Sequence, residues 1–267
     1  MQNTSALYKE IINDQNHWFE SKLTIDLGTE TATLNEQSIM SIQSNDEVFP
    51  NGTPQVGYAI SAQLDTVIIR PNFPIPRAAK IRPYVRACAD HVGSTNAIAG
   101  IAIAGIAVVG TRTSLEKSEW LPKGVFYIDT RRESENIYGP ETISIFAYDG
   151  MMKFEIPYPS DNSANYPKKD TDMVAFLASC VGVGVDSRNE EVMTREYYFP
   201  LPVGYTAREV LGFIAGAYGG NFIMNENGEL RLLKLRDLPK NMSTLTAPNG
   251  DYLLFGDTRI LLYAGSN

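Results

Sequence analysis

The residues best placed to do chemistry are charged side chains clustered between positions 129 and 135. Asp129, Glu133 and Glu135 supply carboxylates beside the guanidinium groups of Arg131 and Arg132. A hydrolase needs two carboxyl groups held across a cleft at a defined separation. Carboxylates two positions apart on one flank of a hairpin are more often a solvated face with weak ion pairs. The pattern therefore predicts a polar surface, and a catalytic carboxylate pair is the alternative.

A glycine-rich sequence at 182–186, GVGVD, is the next candidate, for a phosphate-binding loop. It lacks the Gly-Lys-Ser/Thr sequence and the strand-then-helix context of such loops, so it favours an exit from a preceding helix. Ser163, Ser179 and Ser187 also lack the Gly-x-Ser-x-Gly context of a nucleophilic serine. These residues predict no nucleophile and no phosphate site.

The two cysteines and two histidines of the chain are too few for a His-rich metal site. Cys88 and His91 lie close together, but a catalytic Cys–His pair normally comes from distant segments. We expect Cys88 to be a small core residue, His91 to be a polar loop residue, and Cys88 and Cys180 to be reduced thiols. The sequence thus predicts a protein that is not an enzyme, with no catalytic, cofactor-binding or metal-binding residues.

The chain of 267 residues carries a formal net charge of −8, from 23 basic and 31 acidic side chains. A general nucleic-acid binder needs a basic face to displace counterions from phosphates, so the acidic balance argues against specific nucleic-acid binding. The N-terminus lacks the basic and apolar regions of a signal peptide. No apolar run reaches the ~20 residues of a membrane-spanning helix. A chain of this length often divides into two domains.

The elements that must position these residues follow from hydrophobic spacing. The segment 4–20 predicts a short amphipathic helix capped by Thr4 or Ser5. Its apolar face would consist of Leu7, Ile11 and Trp18. The clearest strand pattern runs from 56 to 68, where apolar side chains take every second position, as in a bent strand of a small barrel. Further strands are predicted at 23–27, 81–87, 124–130 and 141–148, separated by a proline-rich connector at 70–77 and a polar loop at 131–140.

The composition changes after residue 150 and predicts helices as well as strands. One helix is expected at about 172–181, with Asp170 or Thr171 as its cap. Thr206 and Glu209 form a capping box before a second helix, which a Gly-Gly pair ends at 219–220. The other predicted elements are a linker at 157–170, a hairpin of strands 221–224 and 229–235 around an Asn-Gly turn, and short strands at 253–255 and 259–263.

Together these elements predict a mainly β fold with an α+β insertion, in which a small β-barrel-type domain is followed by a mixed α+β domain. The barrel-type domain, with its N-terminal helix, would cover residues 1–155. The inserted α+β domain would cover 156–236, and 237–267 would begin a second β domain or supply C-terminal strands.

An apolar tract at 96–110, NAIAGIAIAGIAVVG, fits none of these elements cleanly. Three interpretations are open: a flat hairpin or strand packed in a core or against a sister subunit, a small-residue loop facing a central channel, and a segment that inserts into a membrane. The tract is too short to span a bilayer as a helix. An exposed patch this apolar is an interaction site by default, so every interpretation except a buried core implies a partner.

Three segments carry a family resemblance: 118–129 (SEWLPKGVFYID), 142–152 (TISIFAYDGMM) and 206–232 (TAREVLGFIAGAYGGNFIMNENGELRL). The first resembles a W-x-P-x-G-x-F-Y-I-D strand, the second a strand ending in an A-Y-D-x-M turn, and the third a helix, double glycine and G-x-L-R hairpin. In that order and spacing they resemble the N-terminal hub region of bacteriophage and prophage tail-tip (baseplate hub) proteins, the tail-associated protein family. The resemblance covers about residues 20–236.

The resemblance implies a structural virion protein. Such proteins resemble ring builders, in which three copies with barrel-type domains connect the tail tube to the tip. The implied partners are two further copies of the chain, the tube or distal tail proteins and the tape-measure protein. The implied location is the tail tip of a virion, after synthesis in the bacterial cytoplasm. Candidate ring contacts are strand edges near 56–68 and 124–148, together with the N-terminal helix. The alternative function is a cell-wall hydrolase or carbohydrate-binding module associated with a phage tail.

Overall fold

The computed structural model describes residues 4–50, 54–92, 113–134, 139–159 and 166–234, with four short strand segments between 242 and 263. The described N-terminal half is mainly one antiparallel sheet, preceded by a short helix, α1 (Ala6–Ile12). Its strands are β1 (His17–Asp26), β2 (Thr31–Asn35), β3 (Ile39–Asn45), β4 (Gln63–Ile69), β5 (Lys80–Val92), β6 (Thr113–Lys117), β7 (Leu121–Pro122), β8 (Phe126–Ser134) and β9 (Thr142–Asp149).

These nine strands pair in the order β2-β1-β5-β8-β9-β4-β3, with β6 and β7 also paired to β5. One face of the sheet is apolar because alternate positions carry Leu, Ile or Ala. Its core includes Leu23, Leu64, Ile81, Phe126 and Ile145. Among the described strands, β2 and β3 are the two ends of the pairing order, so these strands form an open sheet and the fold is mainly β.

Residues 166–234 form a second layer of helices and short strands. Its helices are α2 (Asp170–Val181), α3 (Asn189–Val192) and α4 (Ala207–Ala217), and its strands are β10 (Lys168–Lys169), β11 (Gly184–Val185), β12 (Tyr198–Phe199), β13 (Gly220–Met224) and β14 (Glu229–Lys234). β13 and β14 form the predicted hairpin, and β11 lies parallel to β14. α2 and α4 share a separate apolar core that includes Met173, Leu177, Leu211, Ile214 and Phe222.

The start and end signals of α4 are confirmed. The Thr206 hydroxyl accepts a hydrogen bond from the Glu209 amide at 3.2 Å, and the Glu209 carboxylate accepts one from the Thr206 amide at 2.8 Å. These reciprocal bonds satisfy two amides that the first helical turn leaves without a partner. After the helix, Gly219 takes the left-handed conformation, with φ at +66°, that turns the chain into β13.

The N-terminal helix is shorter than its sequence predicts. Ser5 caps it as expected, but α1 ends at Ile12 and the chain from His17 onward belongs to β1. Ile11 is fully buried against Ala87 and Ala89 of β5, whereas Leu7 is 38% exposed, so the sheet covers only part of the predicted apolar face. Trp18 lies in β1 and not in the helix, because its backbone pairs with β5. Its side chain is 36% exposed.

The strand predicted at 56–68 divides between the two layers. β4 begins only at Gln63, and the preceding residues leave the main sheet and run beside β13. The Gly57 amide donates to the Gly220 carbonyl at 2.9 Å, and the Ile60 amide donates to the Phe222 carbonyl at 2.8 Å. Alternation correctly predicted an extended chain, but it could not indicate that the chain changes sheets midway.

Three other predicted elements differ from the structure at their boundaries or in a residue's placement. His91 lies in β5 rather than in a loop, and β8 continues to Ser134 into the predicted polar loop. α2 begins at Asp170, so its cap is Lys169, which makes no side-chain capping bond. Near the end of α2, helical spacing places Cys180 on the same face as Met173 and Leu177, but Cys180 is exposed whereas both of those residues are buried.

The apolar tract at 96–110 lies outside the described residues. Farther along the chain, the described strand segments are β15 (Met242–Thr244), β16 (Leu254–Phe255), β17 (Thr258–Arg259) and β18 (Leu261–Tyr263). None of the described helices is long and apolar enough to cross a membrane. The domain boundaries at 155 and 236 stay predictions.

Candidate functional site

The carboxylates of the predicted polar surface lie along β8 and its neighbours. Asp129 is exposed at a bulge in β8. Glu133 lies 3.7 Å from Arg70, which also pairs with Glu141 at 2.7 Å. These side chains are about half exposed, so the cluster is a solvated ion-pair network of small energetic value. Glu135 lies outside the described residues.

The glycine-rich sequence at 182–186 is the exit from α2. Gly182 ends the helix in the left-handed conformation, with φ at +67°, and β11 follows directly. Asp186 is buried, and its carboxylate accepts hydrogen bonds from Arg188 at 2.9 Å and from Asn225 at 2.8 Å. The Arg188 guanidinium holds the pKa of Asp186 well below its usual range. The Asp186 carboxylate and the Arg188 guanidinium are thus paired with each other, so the loop serves the fold.

The candidate nucleophiles that the structure describes are one buried thiol and two surface hydroxyls. Cys88 is buried in β5, and burial raises the pKa of its thiol, which makes it unreactive. Ser179 and Ser187 are exposed on the surface of the second layer, and Ser163 lies outside the described residues. Within the part of the chain that the structure describes, no group of three or more His, Cys, Asp or Glu side chains could hold a metal.

The three segments of the family resemblance meet at one place, although they lie far apart in sequence. β8 and β9 pair through Phe126 and Asp149, and the single-turn 3₁₀ helix after β9, Gly150–Phe154, packs against α4 and β13. At the tip of the β13–β14 hairpin, a Cβ added to Gly228 would lie 2.8 Å from the Val125 side chain. We call this contact between the main sheet and the second layer the junction.

Asp149 is the polar centre of the junction and is only 2% exposed. Its carboxylate accepts hydrogen bonds from the Ser61 hydroxyl at 2.8 Å, the Ala62 amide at 2.8 Å and the Met151 amide at 3.0 Å. One side chain thus ties the end of β9 to the chain entering β4 and to the 3₁₀ helix.

Sequence reasoning missed this role, because it treated Asp149 only as a turn residue. A signal was present, since alternate positions along β9 are apolar and face the core. Asp149 falls on the next core-facing position after Ile143, Ile145 and Ala147. A carboxylate at a position that the pattern assigns to the core must find hydrogen-bond donors there.

Two side chains of the second layer hold residues 55–62, the chain just before β4, which we call the connecting segment. The Asn221 side chain accepts a hydrogen bond from the Tyr58 amide at 3.0 Å and donates to the carbonyls of Val48 and Gln55, at 2.9 and 2.7 Å. The Arg208 guanidinium donates to the Ala59 carbonyl at 2.7 Å. The connecting segment is therefore fixed to the second layer by side chains as well as by β13.

Glycines in α4 allow this helix to approach the backbone of Gly57 closely. A Cβ added to Gly212 of α4 would lie 2.6 Å from the carbonyl oxygen of Gly57, closer than real Cβ contacts come. One turn later, a Cβ on Gly216 would lie 3.4 Å from the Gly57 Cα, an ordinary contact. The helix and the connecting segment thus touch backbone to backbone at Gly212, where a side chain has no room.

A cavity of about 240 Å³ lies beside Asp149. Its charged lining carries both signs: Asp46, Glu47, Lys123, Glu226 and Arg231. The acceptors of Asp149 are already occupied by two amides and a hydroxyl. The junction therefore has the chemistry of a structural joint, without an activated nucleophile.

Asp149 also makes stability depend on pH. Burial raises the pKa of Asp149, against the opposing effect of its hydrogen bonds and of Arg208. The folded protein then binds a proton on the Asp149 carboxyl group more tightly than the unfolded chain does. The stabilising contribution is therefore complete below the unfolded-state pKa of about 3.9 and is lost as pH rises through the folded-state pKa.

We expect the free energy of unfolding of the wild type, minus that of Asp149→Asn, to fall from about pH 4 to neutral pH. Urea unfolding of both proteins measures this difference, and a difference that grows with pH would contradict the assignment.

Neither a protein-family model nor a curated protein matches the sequence. Two tail proteins are among the solved structures that match the chain. The 43 kDa tail protein of prophage MuSo2 from Shewanella oneidensis has a TM-score of 0.45 and 15% identity, over 86% of this chain and 59% of that one. The tail protein from Neisseria meningitidis MC58 has a TM-score of 0.45 and 11% identity, over 92% of this chain and 68% of that one. The chain thus spans less than two thirds of the length of the first.

Proposed function

We propose that the chain is a structural protein of a phage or prophage tail, the hub at the tail tip, and that three copies form a ring connecting the tail tube to the tip. The observation that carries the proposal is the convergence of segments 118–129, 142–152 and 206–232 at the junction. These are the segments whose order and spacing resemble the tail-tip hub family, and their residues build a joint between two layers.

The use of buried polar groups supports a structural role. In the described part of the chain, every buried side-chain nitrogen and oxygen has a hydrogen-bond partner. Asp149 and Asn221 bind backbone amides and carbonyls of the connecting segment and the 3₁₀ helix. Buried polar side chains used in this way hold a shape, whereas a catalytic site needs at least one such group directed at a substrate.

The backbone edges of the sheet limit where copies can meet. β4 and β9 each pair with a strand on both sides, so most of the edges predicted near 56–68 and 124–148 are used within the sheet. We assign the ring contacts instead to β2 and β3, which end the pairing order of the described strands. An exposed strand edge can pair with another chain, and a head-to-tail contact that closes on itself makes a ring.

Light scattering coupled to size-exclusion chromatography tests the proposal. We expect a species of three times the 29.5 kDa chain mass, visible as threefold particles by electron microscopy. A monomer at every concentration would contradict the ring. A monomer that also clears a cell-wall suspension, and loses this activity on Asp129→Asn or Glu133→Gln, would support the hydrolase alternative.

A further inference from the structure

A pocket on the outer face of the main sheet combines cations, hydroxyls and a carboxylate. Its volume is about 270 Å³, and it lies where β2, β1 and β5 run side by side, away from the junction. Its lining consists of Thr24, Asp26, Thr31, Lys80, Arg82 and Tyr84. The function proposed above makes no use of it.

Strand register explains why these residues meet. Thr24 lies opposite Arg82 across β1 and β5, and Asp26 lies opposite Thr31 across β1 and β2. Positions two apart on a strand share a face, so Lys80 and Arg82 point the same way. The residue between them, Ile81, is fully buried in the core, which directs both cations to the outer face.

The two cations of the pocket are available to a ligand. Neither Lys80 nor Arg82 forms an ion pair with a residue that the structure describes. The next outward-facing arginine on β5, Arg86, is paired with Glu20 at 2.5 Å. In a chain with a net charge of −8, two cations beside the single carboxylate of Asp26 leave this pocket locally positive, which attracts anions.

The polar groups of the pocket suit a sugar that carries a phosphate. A guanidinium binds phosphate as a two-pronged donor, and an ammonium adds a point charge. The hydroxyls of Thr24 and Thr31 can donate or accept, and the Asp26 carboxylate can accept from a sugar hydroxyl. Asp26 is already oriented, because its carboxylate accepts a hydrogen bond from the Gly28 amide at 2.9 Å.

The neighbouring aromatic rings disfavour a nucleobase. Bases bind to such surfaces by stacking on open ring faces. The Lys22 ammonium lies 4.8 Å from the centre of the Tyr84 ring and 4.5 Å from that of Trp120, and the Arg86 guanidinium lies 4.2 Å from that of Trp120. A cation thus already lies over each of these two rings and would compete with a stacked base.

We propose that the pocket between β2, β1 and β5 binds a phosphate-bearing saccharide, with Arg82 and Lys80 on the phosphate and Asp26 on a sugar hydroxyl. A free sugar phosphate and a phosphorylated polysaccharide share this chemistry. The pocket uses side chains on the face of the sheet, whereas the proposed ring contact at β2 uses the backbone edge of that strand, so the site can be present whether or not the chain trimerises.

Calorimetric titration of the intact chain tests the site with glucose 6-phosphate, glucose and inorganic phosphate. We expect glucose 6-phosphate to bind at least about tenfold more tightly than either partial ligand, because only it engages both the cations and Asp26. Arg82→Ala should weaken binding about tenfold or more, and Arg132→Ala, which removes an exposed arginine of β8, should leave it unchanged. Asp26→Asn should lower the preference for glucose 6-phosphate over inorganic phosphate, because it removes the acceptor for the sugar hydroxyl and also a carboxylate that repels either phosphate.

The other outcomes are equally informative. An absence of binding, or binding that Arg82→Ala does not change in a variant with wild-type circular dichroism, overturns the site. Equal affinity for inorganic phosphate and glucose 6-phosphate overturns the saccharide assignment. Tighter binding of an oligothymidylate assigns the face to nucleic acid instead. Competition by a phosphorylated polysaccharide supports the polymer as the source of the ligand, and a lack of competition supports the free sugar phosphate.

Discussion

Replacing Asp149 with alanine is expected to lower the free energy of unfolding by about 3–5 kcal/mol, because two buried amides lose their acceptor at about 1–3 kcal/mol each. The amides belong to Ala62 and Met151, and the Ser61 hydroxyl loses a partner as well. Removing the carboxylate also removes its own cost of burial, so the net loss is smaller than the sum of its bonds. Urea denaturation at neutral pH measures the change.

Two variants make this test specific. Asp149→Asn keeps one oxygen for Ser61 and Met151 but turns an amide group toward the Ala62 amide, so its loss should be intermediate, about 1–2 kcal/mol. Asp129→Ala removes an exposed carboxylate from the partner strand β8 and should change stability by less than about 0.5 kcal/mol. If Asp149→Ala were no less stable than Asp129→Ala, Asp149 would not be the centre of the junction.

Gly212→Ala should be the second strongly destabilising change, with a loss of about 1–3 kcal/mol from overpacking. The new methyl group would lie 2.6 Å from the Gly57 carbonyl oxygen, and a backbone atom cannot rotate aside as a side chain can. Either α4 or the connecting segment must shift, which strains the bonds from Asn221 and Arg208 to that segment. Thermal or urea unfolding measures the loss.

Gly216→Ala is the matched control for this substitution. It lies one turn later on the same helix, and its methyl group would meet the Gly57 Cα at 3.4 Å, an ordinary contact. Alanine is favoured over glycine in a helix by up to about 1 kcal/mol, so Gly216→Ala should be neutral or stabilising. If both substitutions changed stability by the same sign and size, helix propensity would determine the effect of alanine, and the close approach of α4 to Gly57 would not.

Local patterns predicted the elements whose signals are contained in a short stretch of chain. The capping box at Thr206, the left-handed Gly219 and the β13–β14 hairpin were confirmed because each depends on residues within a few positions of one another. Period-2 alternation found β8 and β9 with boundaries that moved by a few residues, and it found β4 only from Gln63 onward. The same reasoning extended the N-terminal helix to residue 20, where pairing of β1 with β5 overrides helical spacing.

The residues that matter for the candidate sites depend instead on contacts between segments that are far apart in the sequence. Asp129 and Glu133 drew attention because they are close in sequence, yet they lie in a solvated ion-pair network. Asp149 and Asn221 drew none, because their partners lie 87 and 166 residues away along the chain. The pocket at Lys80 and Arg82 likewise depends on which strands become neighbours of β5.

By itself, the sequence determined a mainly β chain with helices in its second part, acidic overall and without a recognisable catalytic motif. Only the tertiary structure decided that the chain at 57–60 joins the second layer, that Asp149 is a buried joint, and which strand edges remain open. The physical reason is that helix caps, turns and alternation are set by contacts between near neighbours in sequence. Strand pairing, close backbone approach and the satisfaction of buried polar groups are set by residues that become neighbours only when the chain folds.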